Sequence, residues 1–369
     1  MTIQCAQQCQ GRYVLVGTFH SLLLVDLFKK EQVTINNTYC NGGYYGIASD
    51  SKYIYVGVRN NQKKRYLYEA DSNGEILVYD YKFNLCHILK PDFPLDDIHE
   101  ILLTDGILYI TNTRYDMIAI YDGISWEKWY PLGNTKGIKK DKHHFNTLTM
   151  HNNKLYVCAH NFGPSTIHVF SLRNKEKIEE IKLGNSSHNI WFVNDEMYVC
   201  SSKHGAIISN KGFITQIAEW PRGVVLSQNS IIVGSSTISA DFDSHYNNNG
   251  HIYVYDNSWK LKGYFFLQGE SQIFDMYPIE LLIDPSSLFE DKRFVKKSLI
   301  AISSDTKLTE NEEFLLILYS MSSLRTGCFT DIMKQKYKTI YKNTLIGWLS
   351  IIKNSIKDII QYLVCKKRI

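Results

Sequence analysis

Seven polar residues, Tyr45, His99, His144, Asn146, His188, Arg222 and Asp275, are of types that do chemistry when brought together. Neutral imidazoles converging with the Asp275 carboxylate would bind a divalent metal such as Fe, Mn or Zn. His99 and His188 would equally serve as acid–base groups, because imidazole titrates near neutral pH. Arg222 beside the histidines would hold an anion, its planar fork matching carboxylate or phosphate. A fourth reading is a plug, in which the same groups fill a channel with hydrogen bonds and water. The chain contains no H-E-x-x-H, no P-loop, no G-x-S-x-G and no G-x-G-x-x-G after a strand. Each reading therefore needs a fold that gathers residues lying between Tyr45 and Asp275.

That fold is a repeat. Six apolar strands share one pattern: Tyr13-Val-Leu-Val16, Tyr53-Ile-Tyr-Val-Gly57, Ile107-Leu-Tyr-Ile110, Lys154-Leu-Tyr-Val157, Glu196-Met-Tyr-Val199 and Ser230-Ile-Ile-Val-Gly234. Their spacing of roughly 30 to 55 residues is that of propeller blades. A third strand follows in each, as in Glu75-Ile-Leu-Val-Tyr-Asp80 and His251-Ile-Tyr-Val-Tyr-Asp256. A more polar fourth closes several, as in Glu176-Lys-Ile-Glu-Glu-Ile-Lys182. Four short strands joined by Gly, Asn and Asp turns make a blade. The expectation is an all-β, six-bladed β-propeller over residues 1–283. Gln272-Ile-Phe-Asp-Met-Tyr-Pro-Ile279 would dock beside Tyr13–Val16 to close the ring. Seven blades is the alternative, with Ser298–Ser303 and Phe314–Tyr319 as later strands of the seventh.

Stepping back one strand and a turn from each repeat gives Tyr45, His99, Asn146, His188 and Arg222, with Asp275 in the last inner strand. The first strand of a propeller blade lines the central channel, and its start shares a face with the loop between strands two and three. Those loops carry His20, Arg59, Asn60, Asn112, Arg114, His160, Asn161, Lys203, His204 and Ser235. The candidate ligand-binding set is Tyr45, His99, His144, Asn146, His188, Arg222, Asp275, Arg59, Asn112, His160 and His204, at one mouth of the channel. Two long loops extend this face, beginning at Arg59 and Ser235. The second offers Asp241 and Asp243, but lacks the Gly and Glu of a calcium loop.

Composition narrows the function classes. A hydrophobic fraction of 44% supports a sizeable core, and a net charge of +4 is too small for a nucleic-acid binder. Eight Cys form no C-x-x-C pair and no zinc spacing; Cys158 and Cys200 follow the same Tyr-Val and read as buried thiols. With no basic and apolar leader and no apolar run of about 18 residues, a cytoplasmic protein is expected. Residues 284–369 read as a mainly helical extension. Within 343–369, Leu345, Leu349, Ile352, Ile356, Ile359 and Leu363 form one stripe, followed by Lys366-Lys-Arg368. This helix either packs on the propeller or rests on the inner face of the membrane, with Trp348 at the interface.

Asp97-Ile-His-Glu, His144-Phe-Asn-Thr-Leu, Ser187-His-Asn, Trp220-Pro-Arg-Gly, Val233-Gly-Ser-Ser and Gly269-Glu-Ser-Gln-Ile-Phe-Asp275 occur in this order. Together they resemble the motifs of an uncharacterised bacterial family of propeller proteins of unknown function. Thr147 stands where that family tends to have Gly. The resemblance implies the fold and the ring, and no reaction. The functional expectation is a binding or scaffold propeller for a small polar or anionic ligand, such as a sugar, or a protein partner. The alternative is a hydrolase, lactonase or isomerase that uses a ring metal, or His99 and His188 as acid and base.

Overall fold

The computed structural model describes residues 11–39, 42–60, 73–133, 141–217, 219–236, 250–267, 270, 272–279 and 285–302. Their strands form six antiparallel sheets. Blade 2 is Tyr44–Ser49, Ile54–Asn60, Asn73–Tyr79 and Leu85–Leu89. Blade 3 is Ile101–Thr104, Ile107–Asn112, Met117–Tyr121 and Trp126–Trp129. Blade 4 is Phe145–His151, Lys154–Ala159, Pro164–Ser171 and Lys177–Asn185, and blade 5 is Ser187–Val193, Glu196–Ser201, Ala206–Ser209 and Gly212–Gln216. Blade 6 is Trp220–Leu226, Ile231–Ser236, Gly250–Tyr255 and Leu261–Leu267, with Ile300–Ile302 added outside.

Blade 1 closes the ring. Its inner strand is Ile273–Pro278, which pairs with Tyr13–Thr18 through Leu15 opposite Tyr277 and Val16 opposite Met276. Leu22–Asp26, Glu31–Asn36 and Val295–Ser298 complete the sheet. Each inner strand touches the next all the way round, so the protein is a six-bladed β-propeller. The seven-blade alternative fails: Ile300–Ile302 is a fifth strand on the edge of blade 6, paired through Phe265 and Ala301. Phe314–Tyr319, the helix expected over 343–369 and most of the two long loops lie outside the described residues. Of the extension, residues 285–302 are a 3-10 turn, Pro285–Glu290, and two strands. Among the described residues no helix is long and apolar enough to cross a membrane.

The core consists of six wedges, one at each blade interface. Leu22, Leu24, Val33, Ile54, Val56 and Leu77 pack blade 1 on blade 2. Val14, Val16, Leu23, Val25, Ile232 and Leu267 pack blade 6 on blade 1. Because neighbours cover both faces of the middle strands, Tyr13–Thr18 and Leu22–Asp26 are buried at every position. That is why these strands read as continuous apolar runs instead of alternating ones.

The inner strands are bulged near the channel mouth. Pairing skips a residue between Tyr45 and Ile47, Phe145 and Thr147, and His188 and Ile190, and two between Pro221 and Val224. Bulges re-aim side chains, and here they turn the ring residues inward. The bulged chain presses on the second strand, where glycine leaves room: a Cβ on Gly57 would lie 2.4 Å from the Tyr45 carbonyl oxygen, and one on Gly234 2.5 Å from that of Arg222. We expect Gly57→Ala to cost about 1–3 kcal/mol by overpacking. Gly163→Ala, whose Cβ would meet nothing nearer than 3.8 Å, should stay within about 0.5 kcal/mol. Urea unfolding of both variants checks this; equal losses would count against the close approach.

Candidate functional site at the channel mouth

Tyr45, His99, Asn146, His188, Arg222 and Asp275 come from six different blades and are all buried. The loop residues Arg59 and His160 join them, as does His144 on the approach to blade 4. Four imidazoles run in a row along blades 3 to 5. Ring centroids are 4.7 Å apart from His99 to His144, 5.0 Å from His144 to His160 and 5.2 Å from His160 to His188. Phe162, 54% exposed, stands over His144 with centroids 4.5 Å apart.

The second half of the site is aromatic and cationic. Tyr45 stacks on Phe274 at 3.8 Å. The Arg59 guanidinium lies 3.7 Å over the Tyr45 ring; that of Arg222 lies 5.6 Å from Tyr45 and 5.1 Å from Phe274. Such contacts suit a partly desolvated cation. Arg59 is engaged on three sides: it bonds the Asp97 carboxylate at 2.5 Å, the Ile98 carbonyl at 3.2 Å and His99 Nε2 at 3.3 Å. Arg222 differs. It makes no hydrogen bond or ion pair among the described residues, although the residue is only 5% exposed. Neither an Arg222 nitrogen nor the Tyr45 hydroxyl is among the fully buried polar atoms without a partner.

The acids nearby form no ion pair with Arg222 among the described residues. Asp275 accepts from the Ile47 and Met276 amides, each at 2.8 Å. Burial raises its pKa to about 6. Glu100 accepts from the Ile101 amide, and burial, then the charge of Asp275, holds its carboxyl well above the usual range. Burial, with the charge of Arg59 adding to it and Tyr45, Asp275 and Glu100 opposing it, lowers Arg222 to about 10, so the guanidinium stays charged at neutral pH.

The hydrogen bonds assign the imidazole tautomers. Ser202 Oγ donates to the Pro221 carbonyl at 2.6 Å, so it accepts from His188 Nδ1–H at 2.8 Å. Thr113 Oγ1 donates to the Phe145 carbonyl at 2.5 Å, so His99 Nδ1–H donates to Thr113 and to the Asp97 carbonyl. His144 Nδ1–H donates to the Asp141 carboxylate at 2.9 Å. His160 is reversed, its Nδ1 accepting from the Phe162 amide at 3.1 Å, which leaves Nε2–H as donor.

Two residues of the sequence-derived set do not join. Asn112 is buried, but its carboxamide ties the approach loop, accepting from the Asp96 amide and donating to the Pro94 carbonyl, both at 2.8 Å. His204 is exposed on a 3-10 turn, Ser202–His204, and its Nδ1 meets Ser201 Oγ at 2.9 Å. Asn146 lies in the ring and donates to the Ser187 carbonyl at 2.9 Å, while its Oδ1 has no partner. Sequence reasoning missed Glu100, Asp141, Phe162 and Phe274. Asp97 and Glu100 flank His99 in one four-residue motif, which was the available signal.

No family model and no curated protein matches the chain. Among solved structures, a chain of a nidogen/laminin complex is similar at 13% identity and a TM-score of 0.49, over 72% of this chain and 97% of that one. An auxiliary nutrient binding protein of Bacteroides thetaiotaomicron is similar at 14% identity and a TM-score of 0.44, over 61% of this chain and 64% of that one. A periplasmic gluconolactonase of Pseudomonas aeruginosa stands at 10% identity and a TM-score of 0.42, over 72% of this chain and 98% of that one. At such identities a likeness reaches no further than the fold.

Burial lowers the pKa of His99 and His188 well below 6.5 and that of His160 to about 3. In the unfolded chain each protonates near pH 6.5. Below that pH the unfolded state binds more protons, so these residues destabilise the fold as pH falls. Asp275 and Glu100, both raised, act in the opposite sense between their unfolded and folded pKa values. A single variant isolates one group: His160→Gln should lose less stability than the wild type on acidification from pH 6.5. The difference is of order 1 kcal/mol per pH unit. Urea unfolding at two pH values measures it; parallel slopes would refute the neutral, buried state of His160.

Proposed function

We propose that the protein binds a small anionic ligand at the channel mouth, through Arg222. The observation that carries this reading is Arg222: the residue is only 5% exposed, and its charged guanidinium has no acceptor among the described residues. A bound carboxylate or phosphate would satisfy it in the paired geometry that guanidinium favours. The Tyr45 hydroxyl and His160 Nε2–H add donors, while Tyr45, Phe274 and Phe162 supply apolar faces for a carbon skeleton. A binding role requires no bond-making step, and the hydroxyls beside the ring histidines, Ser202 and Thr113, donate to carbonyls and not to the imidazoles. The grouping with an uncharacterised propeller family rests on motif order alone.

A metal centre is the second reading, because Asp97, His99 and His144 place one ligand atom each within 4.8 Å of one another. Arg59 weighs against it. Its guanidinium already bonds the Asp97 carboxylate and lies on the His99 nitrogens. A cation there would have to displace a cation.

Thermal unfolding with inorganic phosphate and with citrate tests the anion reading. A ligand at 100 times its Kd stabilises by about 2.7 kcal/mol. Arg222→Gln, which keeps donors but removes the charge, should abolish most of that response. Equal stabilisation of the variant and the wild type would refute a role for Arg222.

A further inference from the structure

The tautomer pattern specifies more than an anion. His144 and His188 have Nδ1–H tied to Asp141 and Ser202, so in the neutral ring each carries a lone pair on Nε2. Neither Nε2 has a hydrogen-bond partner among the described residues, and neither is among the fully buried polar atoms without a partner, although His188 is only 4% exposed. His160 lies between these two rings and presents Nε2–H instead. The wall beside Arg222 therefore alternates acceptor, donor, acceptor. Asn146 Oδ1 is a further acceptor without a partner in the same blade.

A simple carboxylate or phosphate satisfies only part of this wall. Its oxygens suit Arg222, the Tyr45 hydroxyl and His160 Nε2–H, but facing two imidazole lone pairs they would be repelled. Those lone pairs need a hydrogen-bond donor or a metal ion. A metal ion is disfavoured by the donor of His160 between them and by the guanidiniums of Arg59 and Arg222 alongside. Hydroxyl groups fit, because each donates to one Nε2 and accepts from a neighbouring N–H.

We infer that the ligand is a hydroxylated anion, a hydroxy-carboxylate or polyol phosphate, whose acidic group meets Arg222 and whose hydroxyls donate to Nε2 of His188 and His144. This rests on the anion reading above and adds the hydroxyl requirement. A site built around hydroxyl donors discriminates strongly against analogues lacking them, because its acceptors are then left unpaired.

The test uses two matched pairs on the full-length protein by isothermal titration calorimetry: citrate against tricarballylate, and glycerol 3-phosphate against propyl phosphate. In at least one pair the hydroxylated member should bind about tenfold tighter or more. His188→Phe and His144→Phe keep an aromatic ring and remove the acceptor, and each should shrink that gap. The two variants are read side by side, so that loss of folding in one, seen as loss of its thermal transition, leaves the other as the test. Equal affinity within both pairs would overturn the hydroxyl requirement and leave the anion reading standing. No binding by any of the four would overturn the anion reading with it. Stoichiometric Zn2+ kept through dialysis, and lost in both variants, would overturn the inference in favour of a metal centre.

Discussion

Everything in this structure depends on one strand pairing, that of Ile273–Pro278 with Tyr13–Thr18. It joins parts of the chain more than 250 residues apart in sequence, which carries a loop-closure cost that grows only slowly with length. The apolar wedge of Val14, Val16, Leu23, Ile232, Ile273 and Met276 offsets that cost. Without the pairing, two sheet edges would stand open. The same strand brings Phe274 under Tyr45 and Asp275 onto the Ile47 amide. Ring closure and the floor of the site are thus one event.

The site is precise because it is built on strands and not on free loops. Five of the six ring side chains leave an inner strand wedged between two neighbours, and His99 sits on the turn that leads into the sixth. Contacts then cross blades: Arg59 of blade 2 bonds His99 before blade 3, Thr113 of blade 3 bonds the Phe145 carbonyl of blade 4, and Ser202 of blade 5 bonds the Pro221 carbonyl of blade 6. No blade owns the site. A change in the packing of one wedge reaches it through the hydrogen bonds that fix the histidine tautomers. That is how supporting residues hold a binding geometry.

Much of this was legible in the sequence, for a physical reason. Middle strands covered on both faces leave dense apolar runs, and the repeated Tyr-Val or Tyr-Ile marks them. Counting back from those runs reaches Tyr45, His99, Asn146, His188 and Arg222, since a strand and its turn have nearly constant length; Asp275 follows from its place in the last inner strand. The count weakens where geometry is local. Asn112 and His204 occupy the same loops as Arg59 and His160, yet short 3-10 turns follow or enclose them, and their polar atoms bond within the loop. The neighbour relation of Glu100 and Asp275 depends on ring closure, which strand patterns do not encode. The bulges that skip Gly46 and Asn189 leave no mark on periodicity, and the tautomer map appears only once Ser202, Thr113 and Phe162 have positions.

Several residues around the site hold backbone angles that suit glycine: φ is 63° at Asp97, 50° at His144, 49° at Ser186 and 49° at Asn189. A side chain in that region carries a cost of about 1 kcal/mol that glycine avoids. Mutation left to itself would therefore drift towards Gly or Asn at these four places. At position 144 the Asp141 carboxylate, by accepting from Nδ1–H, offsets part of that cost, so the same contact that orients the imidazole also steadies the turn beneath it.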